Sequence, residues 1–414
     1  MLLAAIGPNS RATVTLPLII YRSLRQHALS TLVTAGSIAL ACGLLMCVWM
    51  VKTQSQAAFT QTTTGFDAVL GARGSRLQLV LNAIFHLEAS PGNLAYADYE
   101  MIKRNPAVKT AIPIAVGDNL RGHRLVGTLP ELFETVEYAP GKKFTLLPGG
   151  HIFAPDAKEA VAGSFAAERL GLKVGDTFHP FHGLTYNEES QHSETYTITG
   201  ILEPTNTPAD RVIWIPLHGV QTMSGHDPRA ATDISAVLLQ LKASTAGFML
   251  DMMYNKQGNR LTFAYPVGAI IAELFQKISW FDRVLALVAY LVALVAAGSV
   301  LASIYNSMSA RRRDLAILRA LGAKRRTIFG AVVAEAACIG AIGAVVGFAI
   351  YFSLFAVIAS IIRTQTGVVL VVFSPHPVLW ICPVAMIALC ALGGMVPAFK
   401  AYRTPVAETL APVS

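Results

Sequence analysis

The sequence predicts an α-helical four-span bundle in a membrane, with a large mixed α/β extracytoplasmic domain between spans one and two. Three observations carry that prediction: four apolar runs near the length of a bilayer's hydrocarbon core, basic residues clustered beside them, and a long polar stretch with strand patterning between the first two runs. Of the 414 residues, 53% are hydrophobic and 14% charged, and the mean hydropathy is +0.50. That is too much apolar mass for an ordinary soluble chain of this size. The net charge of +8 lies beside the apolar runs rather than in one groove-forming domain, so it reads as membrane orientation and excludes nucleic acid as the expected partner. All five cysteines, Cys42, Cys47, Cys338, Cys382 and Cys390, fall inside apolar stretches, and no disulfide is expected.

In chain order, residues 1–28 form a cytoplasmic segment. Val14 to His27 mixes Leu16, Leu18, Ile19, Ile20 and Leu24 with Arg22 and Arg25, which predicts a helix on the inner surface, starting near Pro17. Span one is 29–51, uncharged until Lys52. It exceeds the roughly 7–15 residues of a signal-peptide core and is expected to stay as an anchor. Span two is 284–306, span three 328–352 and span four 378–398. The stretch from Ile328 to Ile362, charged only at Glu335, is too long for one straight span at about 1.5 Å per residue, so Phe352 to Ile362 is expected to emerge or to lie at the outer interface, ahead of the rest of an outer loop at 353–377.

The loop 307–327 holds Arg311, Arg312, Arg313, Arg319, Lys324, Arg325 and Arg326 against the single acid Asp314. The positive-inside rule makes it cytoplasmic. Arg11, Arg22 and Arg25 before span one agree, as do Lys400 and Arg403 in the tail 399–414. Both termini are then inside and residues 52–283 outside. The cytoplasmic segments hold 12 basic and 2 acidic residues, leaving 21 and 23 elsewhere.

The domain 52–283 is long enough for its own core. Strand patterning marks Lys109 to Val116, Arg124 to Thr128, Thr195 to Leu202, Arg211 to Ile215 and Ser235 to Leu241, with turn signals such as Pro148-Gly149-Gly150 between. Helical periodicity marks Asn93 to Lys103, Ala160 to Leu170 and Pro266 to Trp280.

Several stretches resemble one family, the MacB/FtsX-type permeases. Arg311-Arg-Arg-Asp-Leu-Ala-Ile-Leu-Arg-Ala-Leu-Gly-Ala-Lys-Arg-Arg326 resembles that family's cytoplasmic coupling segment. Tyr21-Arg-Ser-Leu-Arg25 with Leu29 to Gly36 is similar to its leading helix. Glu159 to Gly163, Glu168 to Asp176 and Thr197 to Leu202 resemble its periplasmic core domain, and Val396 to Leu410 its ending. Leu70 to Leu81 departs from the better-known members. The resemblance implies a dimeric permease, with a second copy or a paralogue, in a bacterial inner membrane. Each copy would bind an ABC ATPase that holds ATP and magnesium, and a periplasmic protein is a further candidate partner. The residues agree in one respect: no Gly-x-x-x-x-Gly-Lys-Ser/Thr loop occurs, so a non-catalytic subunit fed by a partner ATPase is expected, with no cofactor of its own. Two other readings stay open, an FtsX-like regulator of an extracytoplasmic hydrolase and a membrane-anchored periplasmic enzyme.

Four sets of candidate site residues follow. In the loop, Leu315, Leu318 and Leu321 share one helical face, with Arg312, Arg313, Asp314 and Arg319 on the others and Gly322 placed to cap the end. This set is the expected ATPase-coupling surface, although the arginines also serve as a topology signal. Glu335 is the one ionisable residue well inside an apolar run, about two turns from the basic loop, where pairing with an arginine or hydration accounts for it as well as function does. Gly343 and Gly347 form a Gly-x-x-x-Gly pair for helix packing or a dimer seam. Finally, His179, His182 and His192, near Glu188 and Glu189, are the candidate zinc ligands. Their spacing fits no standard site and Pro180 blocks a helical arrangement, so ligand density alone supports them.

Overall fold

The computed structural model describes residues 16–61, 65–225, 231–310, 323–366 and 369–403. The chain divides into two compact units, one of Met1–Lys52, Trp280–Ile358 and Val372–Ser414, the other of Thr53–Ser279 with Ala359–Val371.

The first unit is helical, and three of its helices continue into residues of the second. Helix α1 (Leu16–Gln26) precedes α2 (Ala28–Gln61), α3 (Val267–Ala310), α4 (Arg325–Thr366) and α5 (Val378–Arg403). Among the described residues, four stretches are long and apolar enough to cross a membrane: Ala28–Ala58, Val267–Ser299, Arg325–Gln365 and Val378–Phe399. Their outward faces carry Leu287, Leu294, Val295, Val345, Trp380 and Ile381, all more than half exposed. Such a density of bare apolar side chains is stable against lipid and not against water.

Helix α4 runs through the stretch Phe352 to Ile362 and on to Thr366, an unbroken helix of 42 residues, about 63 Å at 1.5 Å per residue and so longer than a bilayer's hydrocarbon core of roughly 30 Å. Between Gly347 and Thr366 there is no glycine or proline, so nothing in the backbone chemistry ends the helix there.

The second unit is built on a ten-stranded mixed sheet. Its strands are β1 (Ala68–Ala72), β2 (Val108–Leu120), β3 (His123–Thr128), β4 (Glu159–Ala162), β5 (Thr177–Phe178), β6 (Phe181–His182), β7 (Tyr196–Ile201), β8 (Ile213–Pro216), β9 (Ala236–Leu241) and β10 (Leu261–Ala264). The order is β10-β1-β9-β2-β3-β8-β4-β7-β5, with β6 added antiparallel to β2. The pairs β3/β8 and β4/β7 are parallel and the rest antiparallel.

Both faces of this sheet are covered. Alternate residues go to opposite sides of a strand, so Val237 and Leu239 pack into one core with Tyr99, Ile102, Ala166 and Val220. Ala236 and Leu238 pack into another with Leu79, Val80, Phe133 and Ile271. This two-sided burial explains why the strand runs read as nearly continuous apolar segments.

The stretch Ala160 to Leu170, expected as one helix, divides into strand β4 and a helix at Ser164–Leu170. Gly163 sits at the break, where a Cβ would lie 2.4 Å from the Asp210 carbonyl oxygen. The departing stretch Leu70 to Leu81 supplies the end of β1 and a helix at Arg76–Ala83, whose N-terminus is capped by the Ser75 hydroxyl accepting from the Gln78 amide at 3.4 Å.

Candidate functional site

The expected coupling surface, Arg312, Arg313, Asp314, Leu315, Leu318, Arg319, Leu321 and Gly322, lies outside the described residues. Its downstream edge is described. Lys324 starts α4 by accepting from the amides of Thr327 and Ile328 at 3.0 and 3.4 Å.

Glu335 is placed on α4 against α1, where the buried Ser23 hydroxyl donates to its Oε1. A carboxylate taken into an apolar bundle costs heavily unless hydrogen-bonded, and α1 brings such a donor. Gly343 and Gly347 face α2. A Cβ at Gly343 would stand 2.7 Å from Ile38 Cβ and 3.0 Å from the Ala35 carbonyl oxygen, and one at Gly347 would stand 3.0 Å from Cys42 Cβ. On α2, Gly43 answers them, with only 2.9 Å between a built Cβ and the Gly347 carbonyl oxygen. Three glycines therefore let two backbones approach to a distance that larger side chains forbid.

In the sheet unit, the histidine loop is organised around Asp118. A register shift in the β2/β3 pairing between Val116 and Asp118 marks a bulge, the device by which a strand re-aims a side chain. Asp118 is then the direct cross-strand partner of His182 on β6. His192 joins them through the loop backbone, its amide donating to the Pro180 carbonyl at 2.9 Å while Gln191 bridges to Phe181. Asn119 holds this loop by donating from Nδ2 to the carbonyls of Phe181, Gly183 and Thr185 at 3.3, 2.9 and 3.3 Å.

The result is a triad of one carboxylate and two imidazoles. His192 Nε2 and His182 Nδ1 lie 3.1 and 3.4 Å from Asp118 Oδ1. One ligand atom from each of the three residues falls within 4.8 Å of the others. The Asp118 carboxylate is wholly buried, the His192 side chain 5% exposed and that of His182 56% exposed.

The structure brings together two of the three histidines singled out in the sequence. His179 stands apart and exposed, with Nδ1 on the Glu194 carbonyl at 3.0 Å, and Glu188 and Glu189 lie on an exposed turn of 3₁₀ helix. Sequence reasoning missed Asp118. The available signal was a lone acid following the apolar run Ala111 to Val116, since Asp118 is the one acidic residue in Val108–Leu120.

Family models match most of the chain: "MacB-like periplasmic core domain" over residues 28–247 and "FtsX-like permease C-terminal" over residues 286–406. Two solved structures resemble parts of it. The periplasmic region of MacB from Actinobacillus actinomycetemcomitans aligns at 11% identity and a TM-score of 0.34, covering 53% of this chain and 94% of that one. The extracellular domain of the noncanonic ABC-type transporter YknZ from Gram-positive bacteria aligns at 15% identity and a TM-score of 0.30, covering 47% and 97%. At those scores neither likeness carries an argument. Curated proteins gave no sequence match.

Proposed function

This chain belongs to the MacB/FtsX-type permease family, and on that premise we propose that it is the permease subunit of a bacterial ABC system, moved by a separate ATPase to act on cargo at the outer face of the inner membrane. The observation that carries this reading is the pair of family matches, which occupy 28–247 and 286–406 in the order that a permease with a domain after its first span requires. The chemistry of the chain supports it from another side. The sequence holds no phosphate-binding loop, which is consistent with nucleotide energy supplied from outside these residues.

The loop at 307–327 is the element suited to receive that energy, because it combines the leucine stripe Leu315, Leu318 and Leu321 with a basic rim. Helix α4 begins at Arg325, at the end of this loop, and continues unbroken through 42 residues. An uninterrupted helix is a stiff element by which displacement at the loop is carried along the chain. The basic loop also supports placing it, with both termini, in the cytoplasm and residues 52–283 in the periplasm.

The test is co-purification of the partner ATPase with correctly inserted permease, together with its stimulated hydrolysis. In a Leu315→Asp/Leu318→Asp variant, charge replaces the apolar anchors where desolvation is required, and binding should weaken by roughly 30-fold or more, as for the loss of an interface hot spot of about 2 kcal/mol. Arg312→Ala/Arg313→Ala should cost less affinity, since rim charges act chiefly on association. Retention of binding and stimulation in the double Asp variant would show that the segment is a topology signal alone.

A further inference from the structure

The buried carboxylate of Asp118 faces two imidazoles, a cluster that the proposed permease role does not use. His192 sets the chemistry. Its Nδ1 lies 2.6 Å from the Ser224 carbonyl oxygen, and a carbonyl can only accept, so Nδ1 carries the proton of that bond. In the neutral ring, Nε2 then presents a lone pair, and it points at Asp118 Oδ1 3.1 Å away. Two acceptors at that distance repel unless a cation stands between them. The cation is either a proton on the imidazole or a metal ion.

Three ligating residues converge here, which admits the metal. Zinc binds histidine nitrogen at about 2.0–2.1 Å, which makes the edge of a tetrahedral shell roughly 3.3 Å. The two ligand-atom separations measured from Asp118 Oδ1, 3.1 Å to His192 and 3.4 Å to His182, bracket that edge, and all three ligand atoms lie within 4.8 Å of one another, so an ion seated there would draw the two imidazoles together. The hydrogen bond from His192 Nδ1 to a backbone carbonyl is the outer-shell contact that fixes the tautomer and aim of a metal-binding histidine. Two imidazoles and one carboxylate are a donor set that divalent zinc-type ions accept, with a further position left for water. The third ligand is reachable from solvent, because His182 is half exposed and also lines a cavity of about 310 Å³ with Gly117, Gln221, Gly225 and Asp233.

We propose that Asp118, His182 and His192 form a three-ligand site for a divalent transition-metal ion of the zinc class in the domain between spans one and two. The site pins the loop 179–192 to the end of β2, so metal binding orders that corner of the sheet. His179, whose neighbours are Thr177, Phe178 and Tyr186 around a different cavity, takes no part. This inference does not depend on the ATPase: the site stands or falls on the domain's own chemistry.

The experiment uses the full chain purified in detergent, stripped with a chelator and titrated with Zn²⁺ against a chromophoric competitor at neutral pH. The wild type should bind one ion per chain with high affinity, and Co²⁺ in its place should show the intense visible bands of a four-coordinate ion. His182→Ala should weaken zinc at least tenfold and abolish those bands, and His192→Ala should do the same. His182→Cys, which restores a ligand, should recover binding, and His179→Ala should match the wild type. His182 is half exposed, so its variants should keep the wild-type elution profile on size exclusion. Absence of a stoichiometric ion in the wild type, or equal affinity in His182→Ala, would establish the cluster as an imidazolium–carboxylate ion pair and overturn the proposal.

Discussion

His86 is a buried base whose protonation the fold opposes, and this makes the stability of the sheet unit depend on pH. The residue is 7% exposed, holds φ at +54° and packs edge-on against Trp214 at 5.7 Å. Burial, followed by the charges of Arg124 and then Arg211, pushes its pKa down to about 3, against a smaller opposing contribution from a backbone hydrogen bond at Asn82. The unfolded chain takes up a proton near the ordinary pKa of about 6.5, whereas the folded chain excludes it. Above that pH neither state binds the proton and there is no penalty. As pH falls below about 6.5, the unfolded state gains a proton that the folded state lacks, so stability drops by roughly 1.4 kcal/mol per pH unit, to a limit of about 5 kcal/mol near pH 3. Hydrogen exchange of the β2, β3 and β8 amides in the full chain, between pH 7.5 and 4.5 and corrected for intrinsic rates, measures this slope. His86→Asn tolerates the positive φ and removes the titration. It should lower stability at pH 7.5 through the cavity it leaves, yet lose about 1.4 kcal/mol less per unit on acidification. Parallel slopes in the two proteins would refute the assignment, because carboxylates shared by both are then the cause.

Two further outcomes follow from contacts in each unit. Asp98 is nearly buried and receives a bidentate guanidinium from the largely exposed Arg260, with Nη1 2.7 Å from Oδ2; Arg260→Gln should cost about 1–3 kcal/mol by the same exchange measurement, and a change below about 0.5 kcal/mol would mean that water replaces the pair freely. In the helical unit, Gly343→Val forces a Cβ to within 2.7 Å of Ile38 and should lower thermal stability by about 1–3 kcal/mol. Gly330→Ala on the same helix, where a Cβ meets nothing within 4 Å, should change it by less than about 1 kcal/mol; equal effects at the two positions would show that the α2/α4 approach does not limit stability.

The four apolar helices and the strands near 109–116, 124–128, 195–202, 211–215 and 235–241 were legible in the sequence because each depends on a local pattern. A membrane span is a matter of composition over about 20 residues, and a strand one of alternation over five or six. Even there, a local pattern left boundaries open. The absence of glycine and proline from Phe352 to Ile362 permits a helix without fixing where it ends, and the packed structure carries α4 through to Thr366.

Other features were settled only by pairing across distance. Strands β1 and β10 are short, and they form because β1 finds β9 on one side and β10 on the other, with Val69 opposite Leu238 and Ala264. Ala160 to Ala162 reads locally as the start of a helix, but its partners β7 and β8 hold it extended and Gly163 ends it. The candidate metal site shows the limit most sharply. His182 and His192 were visible as a dense loop, whereas Asp118 is 64 residues before His182 and 74 before His192. Its side chain joins theirs because the β2/β6 register sets it opposite His182. Residue types and local periodicity are properties of a sequence, but register is a property of two segments brought together, and a slip of one residue would turn Asp118 to the other face of the sheet.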